Sequence, residues 1–482
     1  MGEILNKVYS LVWGVPMLVL ILGVGAYLTL RTGFAQLRLF PAACRDFWRR
    51  LRCRDRCEGV SPFQALCTAL AATVGTGNLA GVAGAIAIGG PGAIFWMWAC
   101  ALLGMVTKLA EVALAVRYRV QEKGELLGGP MYVISRGLGR RWAWLGSVYC
   151  FFGVVAAFGV GNATQINAVI TGINSCILTF GGTPTGWGDV LIGIALSIAV
   201  LLLLLGGAGR IGRATEVLVP FAAAGYLLLG MLVLLLRLDA VPDAFRAIFQ
   251  GALRPEAVTG GVVGSLMGTL RVGVSRGVFT NEAGMGTASI AHGSANAAHP
   301  VEQGLLGIME VFLDTIVICT MTALVILCSG VRIPYGHDVG VTLTGNAFCA
   351  VLGDWVQVFI TVALCLFAFA TVLGWGLYGA RCAQYLFGES VWHRFAWLQA
   401  GTVILGAVLS TGTVWLLAEI VNGLMAIPNL IALAVLCPEL CRLLIDYRKK
   451  TGQRTGGGNK CKFLSTPTAV SPLPCGNSTP SP

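Results

Sequence analysis

Long apolar runs recur along almost the whole chain, and no other feature constrains its fold as strongly. A membrane-crossing helix needs about 20 predominantly apolar residues. Eleven segments meet that requirement, at approximately 11–30, 62–88, 93–116, 144–173, 187–206, 217–236, 262–290, 303–329, 352–380, 395–414 and 417–441. The expected fold class is therefore an all-α membrane protein of about eleven transmembrane helices. Composition agrees: 11% of the 482 residues are charged, against about 25% in an average soluble protein. That share excludes a disordered chain and argues against a soluble enzyme.

The basic residues orient the spans. Of the 33 Lys and Arg, 25 fall in alternate connections or after the last span, in 31–56, 117–141, 210–213, 381–394 and 442–462. The positive-inside rule puts those segments in the cytoplasm, with the N-terminus outside and the C-terminus inside. An odd span count also separates the termini. The net charge of +11 thus reads as topology, not as affinity for nucleic acid. The first segment lacks a strongly basic start and a small-residue cleavage site, so it reads as a retained helix. The basic tail, 442–482, is rich in Gly, Ser, Thr and Pro from 451 onward and is expected to be disordered.

Sixteen cysteines raise the question of disulfides or metal. Many lie inside apolar runs, where Cys behaves as a small hydrophobe. The pairs Cys53/Cys57 and Cys437/Cys441 have no His at ligand spacing, so a zinc site is disfavoured. The chain has no phosphate-binding loop, kinase signature or nucleophile elbow, so ATP does not drive it through a site of its own. An intramembrane enzyme would need a convergent catalytic set; His292 and His299 have no Cys or Asp set beside them.

Two spans are interrupted by glycine and polar residues. In the second, Val74-Gly75-Thr76-Gly77-Asn78 sits near mid-span. Two readings are open: close helix packing through small residues, or an unwound segment that frees N–H groups for an anion and C=O groups for a cation. In the seventh, Thr280, Asn281 and Glu282 lie between Gly277 and Gly284, followed by Gly286 and Thr287. The two spans are five apart, an odd offset that reverses direction through the bilayer. Residues 62–236 and 262–441 then form two five-span halves, flanked by an extra N-terminal helix with a basic loop (1–61), joined by an external loop (237–261) and followed by the tail. Interrupted segments at matching places in two halves point to the binding site of a secondary transporter.

Other polar residues lie at depth. Asn162 and Gln165 share a face of span four, and Thr371 and Trp375 share one of span nine. Asn162 and Gln165 bond neighbouring helices, or Gln165 reaches a substrate. A Thr371 hydroxyl could join a cation's oxygen shell, and the Trp375 indole could wall a small cavity. Lys108 and Glu111, three apart in the inner half of span three, read as a structural ion pair in preference to a coupling site. Glu282 reads as a gate or helix-break residue and Asp314 as structural; neither these nor Arg276 and Glu310 has a partner legible in the sequence.

The segments SPFQALCTALAATVGTGNLAGVAGAIAIGGPGAIFWMW (61–98), GGPMYVISRGLG (128–139), RIGRATEVLVP (210–220), RGVFTNEAGMGTASIAH (276–292) and FAFATVLGW (367–375) resemble, in order, those of the alanine or glycine:cation symporter family. That family is similar in fold to the bacterial leucine transporter, with five-plus-five inverted helices, here spans two to eleven. The resemblance implies a symporter of the bacterial inner membrane that moves alanine or glycine inward with sodium. The substrate carboxylate would accept from the N–H groups of Thr76 and Gly77. Its ammonium would lie near the break in span seven, beside Phe279, and Asn78, Gln165 and Trp375 would shape the pocket. Sodium would take the carbonyls of Ala71, Val74 and Phe367 and the Thr371 hydroxyl, with a second cation near Thr73 and Asn78. Two positions depart from the family pattern: Ala370 stands where serine is usual, and Ala380 where glutamate is usual. Losing that serine hydroxyl leaves three outcomes open: weaker sodium binding, a water in its place, or protons as the coupling ion. Transport of another small amino acid and a non-transporting sensor on the same fold remain the alternatives.

Overall fold

The structure is a computed structural model that describes residues 2–52, 59–263, 265–337, 340–408 and 412–451. Of the tail expected to be disordered, 442–451 are instead the end of a helix; the tail beyond 451 and the Cys53/Cys57 pair lie outside the described residues. Apart from one short hairpin, every regular element among the described residues is a helix.

The first span is two pieces, α1 (Gly2–Val12) and α2 (Val15–Arg31). Pro16 in the first turn of α2 has no N–H to give, so the chain breaks before it. Next, α3 (Pro62–Thr73) starts on a capping box: the Ser61 side chain accepts from the Gln64 N–H and the Gln64 side chain accepts from the Ser61 N–H, satisfying donors that a helix start leaves open. After a break at Val74 and Gly75 the chain resumes as α4 (Gly77–Gly89), bent by 50° from α3. Then come α5 (Gly92–Tyr118) and the antiparallel hairpin β1 (Val120–Glu122) and β2 (Glu125–Leu127).

The chain continues through α6 (Arg140–Thr179), α7 (Gly186–Leu204) and α8 (Gly207–Leu236). A second break separates α9 (Leu266–Asn281) from the six-residue α10 (Ala288–Gly293). The last helices are α11 (Pro300–Cys328), α12 (Val356–Phe387), α13 (Val391–Val408) and α14 (Gly412–Thr451).

Among the described residues eight helices are long and apolar enough to cross a membrane, or nine if the bent α3–α4 pair is one span. The expected count of eleven is not reached on this measure. The seventh expected span is split between α9 and α10, because polar and glycine residues end the helix at Asn281. The tenth falls on the 18-residue α13, which is absent from the eight.

Burial sorts the helices. The most apolar stretch of α5 is 83% buried within the protein, whereas that of α7 is 22% buried. Leu191 on α7 and Phe221 and Leu228 on α8 are large, apolar and exposed, as suits helices that face lipid tails. Glycines and alanines bring the inner helices together: a Cβ on Gly304 of α11 would lie 2.7 Å from Leu109 of α5. Such close backbone approach is the usual basis of helix association in membranes. The described cysteines are all free thiols.

Candidate substrate and cation site

The bend between α3 and α4 rests on a diverted hydrogen bond. A regular helix would carry the Gly75 N–H to the Ala71 carbonyl, four residues back. Here the Gly75 N–H donates instead to Asn78 Oδ1 at 2.9 Å. Val74 is extended (φ −78°, ψ 92°), and the bond from its N–H to the Leu70 carbonyl is the last regular one. The freed Ala71 carbonyl accepts from the Thr371 hydroxyl of α12 at 2.9 Å, and that hydroxyl lies 3.0 Å from the Phe367 carbonyl. One O–H faces two carbonyls, so three oxygens converge where the backbone has opened.

Gly75 is required by this approach. A Cβ there would stand 2.5 Å from Thr371 Oγ1 and 3.3 Å from Gln165 Oε1. Gln165 Oε1 also accepts from the Thr76 N–H at 3.4 Å, while its amide donates to the Val160 carbonyl. Among the described residues the buried Thr76 hydroxyl has no hydrogen-bond partner. A Cβ on Gly77 would touch the Phe279 ring at 3.5 Å and Thr280 at 3.3 Å, so the two broken segments meet at this point. The first N–H groups of α4 have no intrahelical acceptor and carry the positive end of a helix dipole.

The second break is organised by carboxylates. Glu282 takes a left-handed conformation (φ 51°) at the end of α9, a strained geometry for a non-glycine residue. Its Oε1 accepts from the Trp375 indole at 3.0 Å and its Oε2 from the Thr287 hydroxyl at 2.5 Å. Glu111 Oε1 accepts from the N–H groups of Gly284 and Gly286 and from the Asn429 amide, at 2.9, 3.0 and 2.7 Å. The N–H groups released by unwinding are thus absorbed by a buried carboxylate, as low-dielectric surroundings demand.

Several sequence expectations change. Lys108 does not pair with Glu111. Its Nζ lies 3.1 Å from Glu310 Oε1 of α11, both fully buried, at ion-pair distance but without hydrogen-bond angles. Glu310 Oε2 is 3.1 Å from His292 Nε2, and the Gln303 amide meets His292 Nδ1 at 2.7 Å and the Pro62 carbonyl at 3.2 Å. Three residues apart on one helix, Lys108 and Glu111 diverge because Glu111 turns to the second break and Lys108 to α11.

Asp314, read as structural, gains a partner at the first break: the Asn78 amide donates to its Oδ1 at 2.7 Å and the Thr315 hydroxyl to its Oδ2 at 2.8 Å. Asn162 bonds the Gln399 carbonyl at 2.7 Å, so of the two amides on that face only Gln165 reaches the first break. The Thr73 hydroxyl turns back to the Ala69 and Leu70 carbonyls of its own helix. Trp375 is buried with its indole held by Glu282. Ala370 and Ala380 are buried alanines on α12.

The site therefore brings together Ala71, Phe367 and Thr371 as one oxygen cluster, and Thr76, Gly77, Gln165 and Phe279 around the end of α4. Asn78 spans the gap to Asp314. Sequence reading missed the second-break role of Glu111 with Asn429, and the Glu310–His292–Gln303 chain. The available signal was a charged or amide side chain inside an apolar run, which is rarely left without function. Four carboxylates, Glu111, Glu282, Glu310 and Asp314, are buried with Lys108 and His292. Among the described residues no cluster of three or more His, Cys, Asp or Glu is arranged to hold a metal ion; the oxygen cluster uses carbonyls and a hydroxyl.

The family model for the sodium:alanine symporter family matches residues 1–460. An uncharacterized transporter of Haemophilus influenzae is 45% identical over 451 residues, covering 92% of this chain and 96% of that one. The sodium/alanine symporter AgcS of Methanococcus maripaludis is 43% identical over 439 residues, covering 90% and 94%. Among solved structures, MhsT in complex with L-phenylalanine superposes with a TM-score of 0.57 at 14% identity, over 82% of this chain and 99% of that one. The latter likeness is one of fold.

Proposed function

Because the chain belongs to the sodium:alanine symporter family, and so is a multi-pass membrane transporter and not an enzyme, we propose that it carries alanine or glycine into the cell with sodium by alternating access. The membrane is the bacterial inner membrane, with the N-terminus outside and the C-terminus cytoplasmic. In this reading eleven spans cross it, 62–236 and 262–441 are inverted five-span halves, and α1–α2 are an addition.

The observation that carries the reading is the opened backbone at Val74–Asn78 with Thr371 Oγ1 set between two carbonyls. Sodium is a hard cation that is bound by such unwound carbonyls and hydroxyls. The Ala71 and Phe367 carbonyls, the Thr371 hydroxyl and the Val74 carbonyl form its shell. The substrate carboxylate meets the N–H groups of Thr76 and Gly77 at the positive end of α4. Phe279, Gln165, Asn78 and Trp375 bound a volume suited to a small side chain. A second cation lies near Thr73 and Asn78. Because Asn78 belongs to the same broken segment that frees the Ala71 carbonyl, ion and substrate stabilise one backbone conformation, which is the physical basis of coupling.

The test is uptake of labelled alanine and glycine by proteoliposomes under inward sodium or proton gradients. Accumulation under sodium supports the reading; no accumulation of either amino acid under either gradient refutes it. Proton coupling is the second reading, favoured by the buried carboxylates and by Ala370. Ala370→Ser tests between them. Restoring a hydroxyl beside Thr371 is expected to tighten apparent sodium affinity about tenfold, the effect of one polar contact to a charge. Unchanged sodium dependence of uptake places residue 370 outside the shell.

A further inference from the structure

The N-terminal segment α1 and the turn after it are bonded to two helices that line a cavity. A cavity of about 490 Å³ is lined by Gly81 of α4, Asn167 and Thr171 of α6, Arg276 and Phe279 of α9, and Glu419 of α14. Phe279 lines it and also lies against Gly77, so the cavity adjoins the site described above. Tyr9 of α1 also lines it. Arg276 Nη1 meets Glu419 Oε1 at 3.0 Å, with side chains 17% and 11% exposed. This contact joins α9 to α14 beside the cavity.

Trp13, between α1 and α2, fastens the same two helices a second time. Its indole Nε1 donates to the Glu419 carbonyl at 2.9 Å, and its own carbonyl accepts from Arg271 Nε at 3.1 Å. The side chain is 2% exposed. The packing is tight: a Cβ on Gly423 of α14 would lie 2.4 Å from Val12 and 3.4 Å from the Trp13 ring. A closed ring results, running Trp13, Glu419, Arg276, the α9 backbone, Arg271 and back to Trp13.

A movement of α9 away from α14 would widen the cavity that Arg276, Phe279 and Glu419 line. That motion breaks the Arg276–Glu419 pair. It also strains one of the two Trp13 bonds, because a single residue holds both partners. We propose that α1 and Trp13 form part of the gate on the N-terminal side of the protein, with Arg276 and Glu419 as its closing pair and Trp13 as the positioning residue that sets how readily it opens. The proposal rests on the transport reading for its purpose, but the contacts can be tested without flux.

In purified full-length protein in nanodiscs, Trp13→Phe keeps an aromatic ring, though a smaller one, and removes the donor. Amide exchange in 266–281 is expected to become faster, while thermal unfolding stays close to that of the unaltered protein. In proteoliposomes the maximal alanine uptake rate is expected to change by at least about threefold, with equilibrium alanine binding within about twofold, the pattern of an altered gating step. Arg276→Glu and Glu419→Arg alone are each expected to speed the same exchange and slow uptake, and the charge-swapped double variant to recover both. Wild-type exchange in Trp13→Phe excludes α1 from the gate, and failure of the double swap to recover protection excludes the pair as its closure. Exchange reports on the gate even if the unaltered protein moves neither alanine nor glycine, so the two failures are distinguishable.

Discussion

Lys108→Met is expected to destabilise the folded protein by about 3–5 kcal/mol, the usual cost of removing one partner from a buried ion pair. Lys108 and Glu310 are both 0% exposed and 3.1 Å apart. Without the ammonium, the Glu310 carboxylate is left, among the described residues, with His292 as its hydrogen-bond partner, in surroundings that penalise an uncompensated charge. Met conserves most of the buried stem, so lost packing contributes little. Denaturation of the purified protein in detergent measures the loss. Lys108→Met combined with Glu310→Gln is expected to recover most of it, since the orphaned charge is then gone. If the single variant unfolds like the unaltered protein yet fails to transport, the pair acts in coupling and its structural role is refuted.

Thr371→Val is expected to weaken sodium-dependent uptake by about 10- to 100-fold in apparent sodium affinity, from roughly 1.5–3 kcal/mol for a polar contact to a charged group. Valine keeps the shape of threonine and removes the oxygen that stands between the Ala71 and Phe367 carbonyls. Gly75→Ala reaches the same cluster from the other side, since its Cβ would stand 2.5 Å from Thr371 Oγ1. The two variants are expected to share a phenotype: sodium dependence is displaced while the protein still folds. Unchanged sodium dependence in both removes this cluster from the cation path.

The candidate site was legible in part, and the boundary is physical. Glycines between polar residues marked both breaks, because such residues oppose a continuous helix in an apolar span. Asn78, Gln165 and Thr371 stood out because a polar group at depth needs a partner. The partner itself is a long-range matter. Glu111 is separated from Gly284 and Asn429 by intervals that no local pattern encodes. The expected Lys108–Glu111 pair failed for the same reason: spacing places two charges near one another on a helix but does not say what packs against each.

Apolar run length and the side on which basic residues gather are properties of the chain itself, since each segment must satisfy its own backbone in lipid. They determined the helical class and the orientation expected for it, and the ordered motifs determined the family. Tertiary structure decided the rest. The 50° bend places a carbonyl freed at Ala71 against a hydroxyl three hundred residues away in sequence. Trp13 is bound to two core helices, although its own span reads as an ordinary apolar helix. Such contacts follow from which helix faces meet, and in a chain where nearly every face is apolar the hydropathy pattern does not specify that choice.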